Sequence, residues 1–398
     1  QQLIMTVLRE TAKKHGMTCL LHEKPFAGIN GSGKHVNWSI GNATQGNLLD
    51  PGQTPHDNLQ FLLFCGAVIR GVHLYGPLMR AAIATASNDH RLGANEAPPA
   101  IMSVYLGSQL EDVFRQIQEG RLSSSAIGGV MQFGVDTLPE FPRDAGDRNR
   151  TSPFAFTGNR FEFRAVLNTI LADSIAWVAD QLEGQLAAGT PLANGALAVL
   201  RQLMEQHGQV VFGGDGYSQE WHRMAVEERG LENLRTSADA LPVLQRPAVR
   251  ELFERTGVLT PVELESRYAV YAEQYIQAIE VEARLALQIA RTQVYPAAMG
   301  YLGSLSEAQQ RQSSLGLPVN GSISQALASL CCQLAERGDA LQGALQSAPH
   351  GVDHHLRHCA DALLPAMAGL REVVDALEEL VDDACWPLPT YQEMLFVR

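Results

Sequence analysis

His35 and Glu162 are the two side chains of this chain best suited to hold a divalent cation: an imidazole beside a glycine-rich turn, and a carboxylate set among arginines. Arg91, Arg150, Arg160 and Arg164 add guanidinium forks that match phosphate or carboxylate groups. Magnesium or manganese suits such a mixed imidazole and carboxylate set better than zinc, because no cysteine cluster lies near it. Singly, a histidine by a glycine turn is an ordinary structural hydrogen-bonder and a charged strand face an ordinary solvated one. Their occurrence together points to phosphoryl or carboxylate chemistry.

The elements that must position these groups read as strands. Arg160-Phe161-Glu162-Phe163-Arg164 alternates charge and aromatic ring with the period of an extended chain. The spacing predicts Arg160, Glu162 and Arg164 on one face, with Phe161 and Phe163 packed on the other. Residues 34–40 repeat the design, with His35, Asn37 and Ser39 on one face and Val36, Trp38 and Ile40 opposite. Two such strands predict a barrel or curved sheet with a polar lumen.

The eight residues Gly28-Ile29-Asn30-Gly31-Ser32-Gly33-Lys34-His35 imitate a phosphate-binding loop. A true one needs Ser or Thr after the lysine and a helix beyond it, whereas here His35 and an alternating segment follow. The glycines keep their physical sense, which is close backbone approach to a charged substrate. His354, His355 and His358 stand at helical spacing but lack any motif that leaves an open coordination position, so they read as structural.

A chain of 398 residues, 45% hydrophobic, is long enough for one large or two ordinary domains with a substantial core. Its formal net charge of -13 argues against a nucleic-acid partner. The longest apolar run, near residues 61–69, falls short of the roughly 20 residues of a membrane span, and no signal-peptide pattern opens the chain, so a cytoplasmic protein without a membrane partner is expected. Six cysteines, including the adjacent Cys331 and Cys332, lie mostly in apolar helical patterns and read as reduced core thiols. The first residue is Gln1 and a helix-like pattern starts at once, which reads as a chain entered midway.

Up to about residue 174 short strand-like segments alternate with loops rich in Gly, Pro, Asn and Asp, apart from a buried helix predicted over 58–85. Residues 87–99 and 141–158 read as polar loops. Beyond about 167 helices dominate: Thr260-Pro261-Val262-Glu263 forms a capping box that opens a long helix to about 292, and Leu370, Val373, Val374, Leu377, Leu380 and Val381 make one apolar stripe. This half reads as scaffold.

Residues 22–39, then Asn95-Glu96-Ala97-Pro98-Pro99, then Asn149-Arg150-Thr151-Ser152-Pro153 leading to residues 160–164, resemble the glutamine synthetase family in its long type III form, in the family's order. The resemblance covers essentially the whole chain and implies ATP-dependent ligation of ammonia to L-glutamate through γ-glutamyl phosphate, with magnesium or manganese ions. The implied fold is α+β: a catalytic β-barrel portion with surrounding helices over 1–255, then a mostly α-helical type III region over 256–398. By position, His35 and Glu162 resemble metal ligands. Asn30, Gly31, Arg91 and Arg164 resemble the glutamate-binding set, and Asn37, Ser39 and Arg160 lie toward the nucleotide. Glu96 resembles the flap carboxylate that takes a proton from the attacking ammonium, and Arg150 the residue that neutralises the transferring phosphoryl group. A ring-based homo-oligomer, a dodecamer, is implied too.

Two departures stand out. The family's earlier strands and N-terminal β-grasp domain, with further metal carboxylates, do not precede Gln1, so the chain alone is expected to be inactive. Arg164-Ala165-Val166 also runs directly into Leu167-Asn168-Thr169, where the family carries a Ser-rich loop. Two other readings stay open: a non-catalytic homologue acting in assembly or regulation, and a γ-glutamyl ligase that uses another amine.

Overall fold

The computed structural model describes residues 2–21, 38–52, 54–89, 100–120, 130–131, 141–142 and 160–394, with backbone alone at 2, 130–131, 141–142, 160–163 and 391–392. In chain order the elements are α1 (Gln2–Lys14), α2 (Leu59–Ala81), the single turn α3 (Ala86–Asp89), α4 (Gly107–Gln118), β1 (Val130–Met131), β2 (Phe141–Pro142), α5 (Arg160–Ala187), α6 (Leu192–His207), α7 (Gln219–Arg223), α8 (Ser237–Ala240) and α9 (Pro247–Arg255). There follow α10 (Pro261–Ile289), α11 (Tyr295–Ser314), α12 (Ser322–Gln346), α13 (Val352–His358), α14 (Leu364–Glu378) and α15 (Tyr391–Met394). The chain divides into two compact units, one of residues 26–268 and one of residues 1–25 with 269–398.

The expected β-barrel is overturned. Among the described residues the molecule is mostly α-helical, and the one sheet is the antiparallel pair β1–β2, two residues per strand. Arg160, Glu162 and Arg164 are not on a strand, because the whole stretch opens helix α5. The reason lies downstream: Val166, Leu167, Ile170 and Leu171 repeat at helical spacing and are buried, and helix formation, once nucleated, propagates into neighbouring residues. Alternation therefore no longer puts Glu162 and Arg164 on one face. Helix α5 is continuous through Val166 and Leu167, so the direct join there is an unbroken helical segment.

The second predicted strand meets a similar correction where it is described. Residues 38–40 pair with no strand; the Ile40 carbonyl instead accepts from the Leu48 amide at 2.7 Å, and the Asn42 side chain accepts from the amides of Thr44 and Gln45. That is the hydrogen bonding of a local turn. Trp38 and Ile40 are half-buried and Ser39 is exposed, so the sidedness expected of these three residues persists without a sheet.

The unit of residues 26–268 is built on α2. Asn58 caps it, its side chain accepting from the Phe61 amide at 3.0 Å. The helix is apolar on nearly every side and packs on α5 and α6, with Phe61, Leu62, Ile69, Val72, Leu78 and Met79 buried. Two glycines allow this approach: a Cβ at Gly71 would lie 3.2 Å from Ser174 Oγ, and one at Gly66 would lie 2.8 Å from a Leu203 methyl. By length and composition α2 could cross a membrane, a longer apolar element than the 61–69 run suggested. More than half of its apolar window is buried within this unit, as in a core helix.

Helix α2 bends at Tyr75, whose dihedrals (φ -123, ψ 18) leave the helical region. Pro77 accounts for this, since it lacks the amide that would bond the His73 carbonyl and its ring crowds that oxygen.

In the unit of residues 1–25 and 269–398, α12 packs between α11 and α14. Leu327, Cys331, Leu334 and Leu341 of α12 are buried, as are Leu370, Val373 and Leu377 of α14 and Val381 beyond it, so the predicted apolar stripe is a packing surface. Two wide π-turns, Ala290–Val294 and Cys359–Leu363, each lead into a helix with proline at its second position, Pro296 and Pro365. A π-turn moves the backbone bonds to the fifth residue, which relieves the clash of a proline with the carbonyl four residues earlier.

The predicted capping box is present. The Thr260 amide and hydroxyl donate to Glu263 Oε2 at 2.8 and 2.9 Å, and the Glu263 amide donates to Thr260 Oγ1 at 3.3 Å. Replacing Thr260 by alanine is expected to cost about 0.5–2 kcal/mol. Urea denaturation of the Thr260→Ala variant measures it, and a change below about 0.3 kcal/mol would show that α10 does not depend on this cap.

All six cysteines are free. Cys65, Cys331 and Cys359 are buried in helical segments, Cys19 is half-buried, and Cys332 and Cys385 are exposed.

Candidate functional site

Of the residues proposed from sequence, Ser39 and Arg164 have described side chains, and both are exposed. Arg160 and Glu162 are placed by backbone alone, in the first turn of α5. Asn30, Gly31, His35, Asn37, Arg91, Glu96 and Arg150 lie outside the described residues, as does the glycine-rich imitation of a phosphate loop. The predicted structural reading of the C-terminal histidines fits the geometry: His355 Nε2 lies 2.8 Å from Glu280 Oε1, and His358 Nε2 donates to the Ala344 carbonyl at 2.8 Å.

What the described side chains do assemble is a polar centre along the buried side of α2. Asp173 on α5, 8% exposed, accepts from Arg70 at 3.1 Å and from the Tyr75 hydroxyl at 3.3 Å, and its other oxygen pairs with Arg255 of α9. Arg70 also donates to Ser174 Oγ at 3.1 Å and lies over the Trp177 ring, 4.9 Å from its centre. Burial raises the Tyr75 hydroxyl pKa above its ordinary value, and the Asp173 charge adds to that against the opposing pull of Arg255 and Arg70.

One turn along, His73 Nδ1 and His207 Nδ1 lie 2.8 Å apart, and the Gln209 amide nitrogen is 2.8 Å from His73 Nε2. A contact between two ring nitrogens needs one proton, which two neutral imidazoles supply without repulsion. The surroundings enforce neutrality. Burial, then the neighbouring His73 and Arg70, push the His207 pKa down to about 4, and burial lowers that of His73.

Near the C-terminal end of α2, Arg80 is completely buried. It donates to Asp89 Oδ1 at 3.1 Å and to the Leu234 carbonyl at 2.9 Å. Asp89 in turn accepts from the Ser237 amide at 2.7 Å and hydroxyl at 2.8 Å. This lock fixes the chain immediately before residue 90, and buried Ala100 and Ile101 fix it again beyond residue 99.

Sequence reasoning missed all three clusters. The signal was present: Arg70, His73 and Arg80 interrupt a helix otherwise apolar enough to be buried, and such groups enter a core only with partners. Their partners come from residues 89–235, most of them too far along the chain for spacing to reveal. As chemistry, these clusters position elements. None pairs a nucleophile with a base, and among the described residues no group of three or more His, Cys, Asp or Glu side chains could hold a metal ion.

Comparison with known proteins supplies the context. Residues 1–93 match the family model described as "Glutamine synthetase, catalytic domain", and residues 196–313 match that described as "Glutamine synthetase C-terminal domain". The chain belongs to the glutamine synthetase family. It is 38% identical over its whole length to a "Type-3 glutamine synthetase" of Dictyostelium discoideum, 37% identical over 99% of its length to a "Glutamine synthetase" of Butyrivibrio fibrisolvens, and 33% identical over its whole length to one of Bacteroides fragilis. The chain spans 57%, 58% and 58% of those three relatives.

Proposed function

We propose that the chain is part of a type III glutamine synthetase, an ATP-dependent ligase that joins ammonia to L-glutamate. The observation that carries this reading is the catalytic-domain match over residues 1–93, which takes in His35, Asn30 and Arg91. In the proposed reaction the γ-phosphoryl group of ATP passes to the side-chain carboxylate of glutamate, ammonia attacks the resulting acyl carbon, and phosphate leaves. Asn30, Gly31, Arg91 and Arg164 hold glutamate, with guanidinium forks on its carboxylates. Asn37, Ser39 and Arg160 face the nucleotide. Arg150 offsets charge on the transferring phosphoryl group, and Glu96 accepts the proton lost by ammonium.

With Arg160 to Arg164 helical, these roles rest on the motifs and no longer on a shared strand face. The same holds for a magnesium or manganese ion at His35 and Glu162, whose side chains lie outside the described ones. The expected division of the chain after residue 255, a ring-shaped homo-oligomer and a cytoplasmic setting belong to the same proposal.

The test uses the full-length polypeptide and measures ADP release that depends on both glutamate and ammonia. Its absence would overturn the proposal. Arg164→Lys keeps the charge but loses the two-pronged contact, so the KM for glutamate should rise about tenfold or more with little change in the KM for ATP. An equal rise in both would remove Arg164 from the glutamate site.

A further inference from the structure

Asparagine followed by glycine occurs three times in the chain, at residues 30–31, 194–195 and 320–321. The first pair lies outside the described residues, and the other two stand in opposite surroundings. Asn194 and Gly195 are inside α6, where the Gly195 amide donates to the Pro191 carbonyl at 2.9 Å. Asn320 and Gly321 lie in the connection between α11 and α12, and Asn320 is exposed. There the Ser322 amide donates to Asn320 Oδ1 at 3.0 Å, while the Gly321 amide between them makes no hydrogen bond among the described residues.

That arrangement brings together the reacting groups of an intramolecular attack. The bond from Ser322 closes a ring through the Asn320 side chain and the Gly321 peptide, which keeps the side-chain carbonyl carbon near the Gly321 nitrogen. The same donor draws electrons toward Oδ1, the atom that becomes an oxyanion when the nitrogen adds to that carbon. Glycine has no Cβ, so the nitrogen is uncrowded. In α6 the corresponding nitrogen is committed to Pro191 and turns toward Asn194 only after the helix opens.

We propose that Asn320 is a site of spontaneous modification, converted through a cyclic imide to aspartate and isoaspartate. Hydroxide removes the Gly321 amide proton, the nitrogen lone pair forms a bond to Asn320 Cγ, and the Cγ–Nδ2 bond breaks as Nδ2 takes a proton from water and leaves as ammonia. Water then adds to either carbonyl of the imide and breaks that carbon's bond to the Gly321 nitrogen, which regains a proton. The product places a negative charge just before α12. As isoaspartate it also inserts a methylene into the backbone where Gln309 of α11 holds the Asn320 carbonyl, at 3.0 Å, and Ser324 Oγ, at 2.6 Å, and so loosens the turn between the two helices. The site is independent of the ligase reading, and its test needs neither ATP nor glutamate.

Incubation of the full-length protein in mildly alkaline heavy-oxygen water, followed by peptide mass spectrometry, is the direct measurement. Conversion at Asn320, marked by solvent oxygen, is expected at least about tenfold faster than at Asn194, which waits for its helix to open. In urea-unfolded protein the two rates should agree within about threefold, because both asparagines then precede an unconstrained glycine. Gly321→Ala should keep the fold, since φ at this position is -92 and a Cβ would meet nothing nearer than 3.9 Å. It should slow conversion of Asn320 about tenfold or more by crowding the attacking nitrogen. Equal rates at the two sites of the native protein, an Asn320 that stays intact while the unfolded chain converts, an unchanged rate in Gly321→Ala, or a difference that persists in urea would each overturn the assignment.

Discussion

Replacing Asp89 by alanine is expected to destabilise the unit of residues 26–268 by about 3–5 kcal/mol, the cost of leaving one member of a buried ion pair alone. Arg80 is wholly buried, and Asp89 is the carboxylate seen to pair with it. The same change strips two bonds from Ser237, at 2.7 and 2.8 Å, and so loosens the start of α8. Arg80 keeps its bonds to the Leu234 and Arg235 carbonyls, which makes the lower end of the range the better expectation. Asp89→Asn, which still offers an oxygen to Ser237, should fall between wild type and alanine. Urea denaturation followed through Trp177 and Trp221 reads the difference. A loss below about 1 kcal/mol in Asp89→Ala would mean that water reaches the guanidinium and that the pair behaves as an exposed one.

The second large effect is on acid stability. His207 has an ordinary imidazole pKa near 6.5 once unfolded and about 4 in the native protein. Its folded value is depressed, so the unfolded chain takes up a proton below pH 6.5 that the folded chain refuses. The stabilisation from this group is complete above that pH, declines as pH falls and levels off below about 4. Its slope is about 1.4 kcal/mol per pH unit, giving on the order of 3 kcal/mol in all. Between pH 7.5 and 4.5, wild-type protein should therefore lose about 2–3 kcal/mol more than His207→Gln, whose side chain does not titrate. Parallel declines would place the acid sensitivity elsewhere. His73 shifts in the same direction and steepens the curve, which makes the double replacement of His73 and His207 flatter still.

Much of the helical architecture was legible because its signals are local and redundant. Residues 58–85 read as a buried helix and form Leu59–Ala81, capped by Asn58. Thr260 and Glu263 read as a capping box and form one. The stripe from Leu370 to Val381 read as packing and is buried at four positions. The strands failed for an equally local reason. Five residues with period two cannot outweigh the helical spacing that follows from Val166 onward, and a short alternating run is compatible with either state. The polar centre failed because its pairs, such as Arg70 with Asp173 and His73 with His207, join distant segments through tertiary packing alone. Of the candidate site, motif order carried the family, while strand alternation misjudged how Glu162 and Arg164 relate.

The cysteines turn the two units into separately addressable chemical reporters. Burial pushes the thiols of Cys65 and Cys359 up to about 12 and raises that of Cys331, so at neutral pH none of the three presents a thiolate to an alkylating reagent. Cys332 and Cys385 are exposed. A brief pulse of iodoacetamide thus marks those two, and half-buried Cys19 to a lesser degree, on the native molecule. Later modification of Cys65 records transient opening of α2, and that of Cys331 or Cys359 records opening of the α12–α14 packing. One mass spectrum taken along a denaturant series therefore gives two opening free energies from a single unlabelled, unmutated chain.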